Sequence, residues 1–319
     1  MGGPGLSGEP EREGRLLHLL AAERAAGLPP TFLNTLPQGI LDDTLAAELE
    51  ERGGFVGCRL RCFGTLARAM DEAKRLTNEA EAQGRDAYSG TVVVARELTE
   101  GRGRMGRTWF SPPGGIYLAL LLSPELVGER MGLYPLAAGV AAATALRAYV
   151  PQARLKWVND VHLEGRKMCG LLAESFFSAR HHEPYLLLGV GANANITAFP
   201  AELGALATSL ELELGRPVDL DRLCARLLRH LGLWLGLLHH HDQRLREEEF
   251  ADQPPPNPVV AAFRALSDSF GRRVLYRSGD GDPGTEAKAI DVVEDGGLML
   301  ELDGGARHTA YGGEIIYLD

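Results

Sequence analysis

Residues 101–115 read GRGRMGRTWFSPPGG, and this stretch constrains the fold and the chemistry of the chain more than any other. It holds three arginines, five glycines and one tryptophan. Glycine lets a backbone approach a ligand closely, and arginine offers a planar set of donors that fits carboxylate and phosphate. Tryptophan adds a flat face for stacking. The stretch therefore predicts a loop that folds over a phosphate-bearing ligand.

The segments on either side place this loop between two strands. Residues 91–95 are mostly β-branched, and residues 116–122 are uniformly apolar. A basic surface loop of the RGG type is the alternative, but such segments repeat and this one occurs once. The stretch is not a Walker A loop, because no Gly-Lys-Ser/Thr ends it. Nor is it a dinucleotide fingerprint, because the glycine spacing differs and a strand follows it.

Composition limits the classes of protein that the chain can represent. Its 319 residues suggest a main domain and a smaller one. The net charge of −10 argues against broad electrostatic binding to nucleic acid or an anionic membrane. The four cysteines form no zinc-like pairs, so free thiols in a reducing compartment are expected. With no secretory signal and no apolar run of membrane-spanning length, we predict a cytoplasmic protein.

Changes in sequence character divide the chain into four parts. Residues 1–13 are rich in glycine, proline and charge, which predicts a disordered tail. Residues 14–56 carry two helical patterns, and residues 57–267 mix strand and helix patterns in a main domain. Residues 268–319 hold short strands separated by Gly/Asp turns, which predicts a small all-β barrel. The fold class is therefore α+β.

Two further motifs add chemistry to the loop. Residues 156–160 (KWVND) bring a lysine, an amide and a carboxylate to the end of a predicted strand. Residues 189–195 (GVGANAN) end another strand with small residues that let a ligand approach. Each motif alone also fits a turn or close strand packing. The histidines at 181–182 and 239–241 have no partners at ligand spacing, so we expect exposed side chains there and not a metal site.

Taken in order, these three motifs resemble those of the biotin protein ligases. That family shares a Gly-Arg-Gly-Arg-x-Gly-Arg-x-Trp loop, a Lys-Trp-Pro-Asn-Asp segment and a glycine-rich strand end containing asparagine. The resemblance extends from about residue 57 to residue 318. It implies a mixed-sheet catalytic domain of the biotin/lipoate ligase type at 57–267, followed by an SH3-like β-barrel at 268–319.

The same resemblance implies an activity. Family members activate biotin with Mg-ATP to biotinyl-AMP and transfer biotin to a lysine of a biotin carboxyl carrier domain, so biotin, ATP and Mg²⁺ are expected. A relative that binds an acyl-adenylate but uses biotin poorly is the alternative. A biotin-sensing repressor is a third, but residues 41–52 hold one arginine against five acidic residues, so no DNA binding is expected. A homodimer is plausible for the fold, and no membrane partner is expected.

Site residues follow from the motif matches. The resemblance gives catalytic roles to Lys156, Arg102 and Arg104. It assigns biotin binding to Arg68, Ala69, Met70, Leu98, Arg102, Gly103, Arg104, Lys156, Gly170 and Gly189. It assigns ATP and adenylate binding to Gly101, Arg104, Arg107, Trp109, Asn159, Gly191 and Asn193. Asp160 is the candidate ligand for Mg²⁺. Because a mixed anhydride hydrolyses easily, we expect residues 100–110 to be poorly ordered until ligand binds.

The chain departs from the family pattern at one end of the expected site. Arg68-Ala69-Met70 aligns with a Ser-Thr-Asn or Ser-Thr-Met segment whose hydroxyls bind the ureido ring of biotin. Leu98 replaces a glutamine. Thr65 and Thr99 lie near enough in sequence to compensate for the lost partners of the urea.

Overall fold

A mixed sheet of seven strands forms the centre of the computed structural model, which describes residues 9–126, 128–178, 180–247 and 254–318. In chain order the strands are β1 (Arg59–Leu66), β2 (Thr91–Leu98), β3 (Ile116–Leu122), β4 (Arg154–Lys156), β5 (Asp160–Leu163), β6 (Arg166–Phe177) and β7 (Pro184–Ala192). They lie in the spatial order β1-β2-β3-β7-β6-β5-β4. Strands β1 and β2 are parallel, and every other neighbouring pair is antiparallel.

Both faces of the sheet are covered, which explains the uniformly apolar sequence of β3. Its seven residues are all buried. Leu118 and Leu120 face the main core, while Ala119 and Leu121 face a smaller cluster on the opposite side. Successive side chains of a strand point to opposite faces, so a strand covered on both sides needs no polar alternation.

Helices supply these covering layers. In chain order they are α1 (Pro10–Ala25), α2 (Pro30–Leu33), α3 (Asp43–Gly53), α4 (Ala69–Ala82), α5 (Leu133–Leu146), α6 (Leu210–Leu214), α7 (Leu220–Glu247) and α8 (Pro258–Leu266). Helix α4 covers the smaller cluster, and α5 packs with α7 over the main core. Within the described ranges, no helix is long and apolar enough to cross a membrane.

The N-terminal segment is part of this core. Helices α1 and α3 pack on α7, and their Leu16, Leu20 and Leu49 are buried in the main cluster. Helix α1 begins at Pro10, so the expected disorder is wrong for residues 10–13, and residues 1–8 lie outside the described part. The nearly buried Arg12 donates to Asp221 of α7 at 3.0 Å, a partner that no local pattern reveals.

A second, antiparallel sheet follows α8. Its strands are β8 (Arg273–Arg277), β9 (Thr285–Val292), β10 (Leu298–Leu302), β11 (Arg307–Ala310) and β12 (Glu314–Tyr317), in the order β11-β10-β9-β8-β12. The α+β class and the small C-terminal β module are therefore confirmed. The domain boundaries stay a prediction.

Two smaller expectations have different outcomes. All four cysteines are free, and Cys62, Cys169 and Cys224 are buried, as their packing role requires. The expected exposure of the histidines at 239–241 is wrong, because His239 and His241 are buried on α7. The Nε2 atom of His239 lies 3.1 Å from the Tyr134 hydroxyl. The described residues hold no cluster of three metal-ligating side chains.

Candidate active site

A cavity of about 690 Å³ lies on the α4 side of the seven-stranded sheet. Its floor is a row of residues that strand pairing sets side by side. Gly170 of β6 pairs with Gly191 of β7, which in turn pairs with Tyr117 of β3. Asp160 of β5 pairs with Gly170 on the other side, and Lys156 of β4 pairs with Asp160. Register alone thus brings the second and third sequence motifs together.

Trp109 explains why two members of this row are glycines. A Cβ on Gly191 would lie 2.5 Å from the indole Nε1, and a Cβ on Gly170 would lie 3.0 Å from Cζ3. The indole therefore rests directly on the bare backbone of β6 and β7. Lys167 lies 5.0 Å from its ring centroid. The buried Nε1 has no hydrogen-bond partner in the described structure.

The Gly/Arg loop doubles back on itself above this floor. Arg102 forms a β-bridge with Thr108, and the Gly103 amide donates to the Arg107 carbonyl at 2.8 Å. A Cβ on Gly101 would lie 2.3 Å from the Ser111 hydroxyl, so only glycine fits at this turn. Gly101 is not among the residues that line the cavity, and its contact with ATP stays a prediction. The expected poor order of residues 100–110 without ligand stays a prediction.

Cations concentrate at the row that contains Lys156. Burial lowers the pKa of the Lys156 ammonium and also that of the Arg104 guanidinium, because both lose solvation. Arg104 Nη1 lies 3.4 Å from the Asn159 side-chain oxygen, and Lys167 Nζ lies 2.6 Å from Asp160 Oδ1. Half-buried cations that outnumber the facing carboxylates favour an anionic ligand.

The second sheet forms the wall beside Lys156. The ammonium lies 4.8 Å from the ring centroid of Tyr317. The backbone amide of Trp157 donates to the Ser269 hydroxyl at 3.3 Å, and its indole donates to the Gly296 carbonyl at 3.3 Å. The peptide bond between Trp157 and Val158 is cis, where the resemblance has a proline. The C-terminal module thus holds both the lysine and its neighbour.

The other end of the cavity is apolar and closes at α4. A Cβ on Gly189 would lie 2.8 Å from the Met70 sulfur, so this glycine makes room for the methionine. Ala69, Leu98 and Leu172 line the same end. Arg68 Nη2 donates to Glu174 Oε1 at 2.8 Å.

The cavity collects nearly all of the residues that the sequence selected. Its lining includes Arg68, Ala69, Met70, Leu98, Arg102, Gly103, Arg104, Arg107, Trp109, Lys156, Asn159, Asp160, Gly170, Gly189, Gly191 and Asn193.

Two of these side chains are already engaged elsewhere. The buried Asn193 amide donates to the carbonyls of Lys167 at 3.3 Å and Thr208 at 3.0 Å, so it ties the strand end to a neighbouring loop. Arg107 forms an ion pair with Glu314 of β12, which joins the loop to the second sheet. Both side chains have partners within the protein, and their contacts with ATP stay predictions.

Sequence reasoning missed three residues at this site. The motifs do not select Lys167, although its place three residues before Gly170 on the same strand is a usable signal. Tyr317 lines the cavity because the second sheet packs there, and Glu174 is connected to the cavity only through its ion pair with Arg68. Neither arrangement leaves a local signal in the sequence.

Comparisons with known proteins agree with this geometry. The biotin/lipoate A/B protein ligase family matches residues 68–191. The biotin–[acetyl-CoA-carboxylase] ligase of Mycobacterium tuberculosis is 33% identical over 246 residues, which are 74% of this chain and 82% of that protein. The bifunctional ligase/repressor of Bacillus spizizenii is 29% identical over 71% of this chain, and the match spans 66% of that relative.

A solved structure extends the likeness to the whole fold. The biotin protein ligase from Aquifex aeolicus, in complex with biotin and ATP, superposes with a TM-score of 0.62 at 25% identity. The match covers 82% of this chain and 98% of that one. The chain therefore belongs to the biotin protein ligase family.

Proposed function

We propose that this chain joins biotin to ATP in the described cavity and then transfers biotin to a lysine of a biotin carboxyl carrier protein. In the first step a biotin carboxylate oxygen attacks the α-phosphorus of ATP, which gives biotinyl-AMP and releases pyrophosphate. In the second step the carrier amine attacks the acyl carbon, AMP leaves, and an amide forms. The observation that carries this proposal is that two half-buried cations, Lys156 and Arg104, lie beside the glycine floor under Trp109.

Lys156 and Arg104 are the catalytic residues of the proposed first step, together with Arg102. Attack of a carboxylate on a phosphate ester builds negative charge at the α-phosphorus. Fixed cations in a partly buried site stabilise that charge more than water does. The lowered pKa of Lys156 reflects a cost of burial that an anionic ligand offsets. Loss of this ammonium should therefore affect the chemical step more than folding.

Trp109 is the proposed platform for the adenine ring. Contact with Gly170 and Gly191 holds the indole in place, and an aromatic ring can stack on any base. Gly103 lets the loop backbone approach the ligand, while Asn159 positions Arg104 beside the phosphates.

Asp160 stays the predicted ligand for Mg²⁺. Its carboxylate is paired with Lys167, and the described residues hold no cluster of three metal-ligating side chains. Mg²⁺ commonly binds through substrate phosphates and water with few protein ligands. We therefore propose that Mg²⁺ enters with ATP, and no step of this mechanism depends on a metal held by Asp160.

We also propose an acceptor protein, an oligomeric state and a cellular location, and these proposals do not depend on the geometry of the cavity. The names of the relatives imply a carboxylase carrier as the acceptor. A homodimer through a sheet edge stays a prediction, with β1 and β4 as the edge strands. The absence of DNA binding and the cytoplasmic location also stay predictions from the sequence.

The first test is biotin-dependent exchange of labelled pyrophosphate into ATP, with wild type beside Lys156→Ala. Exchange that requires biotin and falls at least about 100-fold in the variant supports adenylation at this site. Binding of ATP without biotin-dependent exchange in the wild type would sink the proposal. Transfer of labelled biotin to a purified carrier domain then tests the second step separately.

A further inference from the structure

A chain of hydrogen bonds runs from the backbone beside Lys156 to a carboxylate. The Trp157 amide donates to the Ser269 hydroxyl at 3.3 Å, which in turn lies 2.8 Å from the Tyr317 phenol oxygen. The phenol donates to Asp268 Oδ1 at 2.8 Å. A phenol has a single proton, so Ser269 is the donor to Tyr317. Every hydroxyl therefore accepts one bond and donates one, and the chain ends at Asp268.

His162 of β5 fixes the same carboxylate from the other side. Its Nδ1 atom accepts from the Gly165 amide at 3.2 Å, so in the neutral ring the proton lies on Nε2. This Nε2 atom lies 2.9 Å from Asp268 Oδ1. The Asp268 amide also donates to the Leu155 carbonyl of β4 at 3.2 Å. Asp268 is thus held by two neighbouring strands of the seven-stranded sheet.

The charge states of this network agree with the direction of its bonds. Burial alone would raise the pKa of the Asp268 carboxyl, but the hydrogen bonds from His162 and Tyr317 bring that pKa below its ordinary value. Burial raises the pKa of the Tyr317 phenol. At neutral pH the carboxylate is therefore charged and the phenol keeps its proton, which strengthens the bond between them.

The ring of Tyr317 is the surface that this network presents to Lys156. The Lys156 ammonium lies 4.8 Å from the ring centroid, within the range of a cation–π interaction. Within the described ranges, this ammonium has no hydrogen bond or close ion pair. The Arg272 guanidinium lies 4.5 Å from the same centroid and donates through Nε to the Asp268 carbonyl at 2.9 Å. It adds a second contact to the ring.

We propose that Tyr317 is a positioning residue for Lys156 and that Asp268 and His162 act by fixing the Tyr317 ring, an inference that rests on the proposed function. A lysine side chain is flexible, and an ammonium without hydrogen bonds is free to take several positions. Contact with a fixed ring restricts those positions. The ammonium is then in place before charge builds at the α-phosphorus, which favours the chemical step more than ligand binding.

The test measures kcat and both KM values for pyrophosphate exchange in Tyr317→Leu and Tyr317→Phe. For Tyr317→Leu we expect kcat to fall about 5- to 30-fold, as for loss of a partly buried cation–π contact, while the KM for biotin and the KM for ATP stay near the wild-type values. Tyr317→Phe keeps the ring but loses its bond to Asp268, so its kcat should fall less.

A double substitution tests whether Asp268 acts through Tyr317. Asp268→Ala should lower kcat about as much as Tyr317→Phe does, because both remove the same hydrogen bond. In the Tyr317→Leu background, Asp268→Ala should lower kcat no further, since residues that act as one unit are not additive. Asp268→Asn keeps an acceptor oxygen and should recover part of the loss.

Tyr185 of β7 provides a matched control. It is a buried tyrosine whose hydroxyl also donates to a carboxylate, Glu81 Oε1 at 3.1 Å, and it is not among the residues that line the cavity. Tyr185→Phe should leave kcat and both KM values unchanged.

Three results would overturn the inference while the proposed function stands. The first is biotin-dependent exchange whose kcat Tyr317→Leu does not alter. The second is a loss that lies wholly in the two KM values. The third is an Asp268→Ala effect of equal size with and without the Tyr317 ring. If Asp268→Ala does not fold, His162→Leu takes its place, with His162→Gln as the variant that keeps a donor and should retain activity. If wild type shows no biotin-dependent exchange, the proposed function fails and this inference fails with it.

Discussion

Trp109 offers the sharpest test of how the cavity holds a nucleotide. Trp109→Ala removes the ring that rests on Gly170 and Gly191. Stacking of a base on an aromatic side chain contributes about 1–3 kcal/mol, so we expect the KM for ATP to rise about 5- to 140-fold. Trp109→Phe keeps a ring and loses no hydrogen bond, because the indole Nε1 has no partner in the described structure. Its KM for ATP should stay near the wild-type value.

The assay is pyrophosphate exchange at saturating biotin with ATP varied. Tyr88→Ala is the control, since it removes an exposed ring that lies 3.4 Å beneath the Arg59 guanidinium, outside the cavity. A phenylalanine variant as impaired as the alanine variant would refute the stacking argument. So would a Trp109→Ala variant whose only change is in the KM for biotin.

Four further outcomes follow from the same geometry. Burial lowers the pKa of Lys156, so the ammonium should lose its proton as the pH rises, at a pH below the usual lysine value of about 10.4. The exchange rate should fall with that deprotonation, and Lys156→Arg should move the fall to higher pH. Gly191→Ala should raise the KM for ATP, because its Cβ would lie 2.5 Å from the indole, whereas Gly64→Ala, with 3.5 Å of space, should not. Burial lowers the pKa of His230 to about 3, so the folded state keeps this residue neutral while the unfolded state takes up a proton below about pH 6.5. As the pH falls through this range, His230 should therefore lower stability by up to about 1 kcal/mol per pH unit, and urea titrations should show a shallower fall for His230→Gln than for wild type. Limited proteolysis with trypsin should cleave within residues 100–110 more slowly once biotin and ATP are added.

The sequence predicts a helix or strand well where the residue pattern of that element is set by its burial. The apolar run at 116–122 coincides with β3, because a strand covered on both faces needs every residue apolar. Element ends were less predictable. The alanine-rich composition of residues 133–150 favours one continuous helix, but α5 ends at Leu146, because a turn then leads the chain toward β4. Arg12, in the first turn of α1, donates to Asp221, which lies far away in the chain and which no local pattern identifies as its partner.

The same distinction applies to the site. Motifs revealed Lys156, Arg104 and Trp109, because their residue types and spacing carry the chemistry within a few positions. Glu174 and Tyr317 were not accessible in this way. Their roles depend on which strands pair and on where the second sheet packs, and neither fact is encoded in a short segment.

The two ends of the cavity are built by different parts of the fold, so a substitution can impair one end and leave the other intact. Arg68 and Glu174 are carried by α4 and β6 of the seven-stranded sheet. Lys156 is held from the other side, through Ser269 and Gly296 on the backbone and indole of Trp157 and through the ring of Tyr317. Weakening the second sheet should therefore impair exchange before it impairs biotin binding. The test compares the exchange rate of a Tyr317→Leu variant with its affinity for biotin, measured by calorimetric titration. We expect the exchange rate to fall while the affinity for biotin stays near the wild-type value.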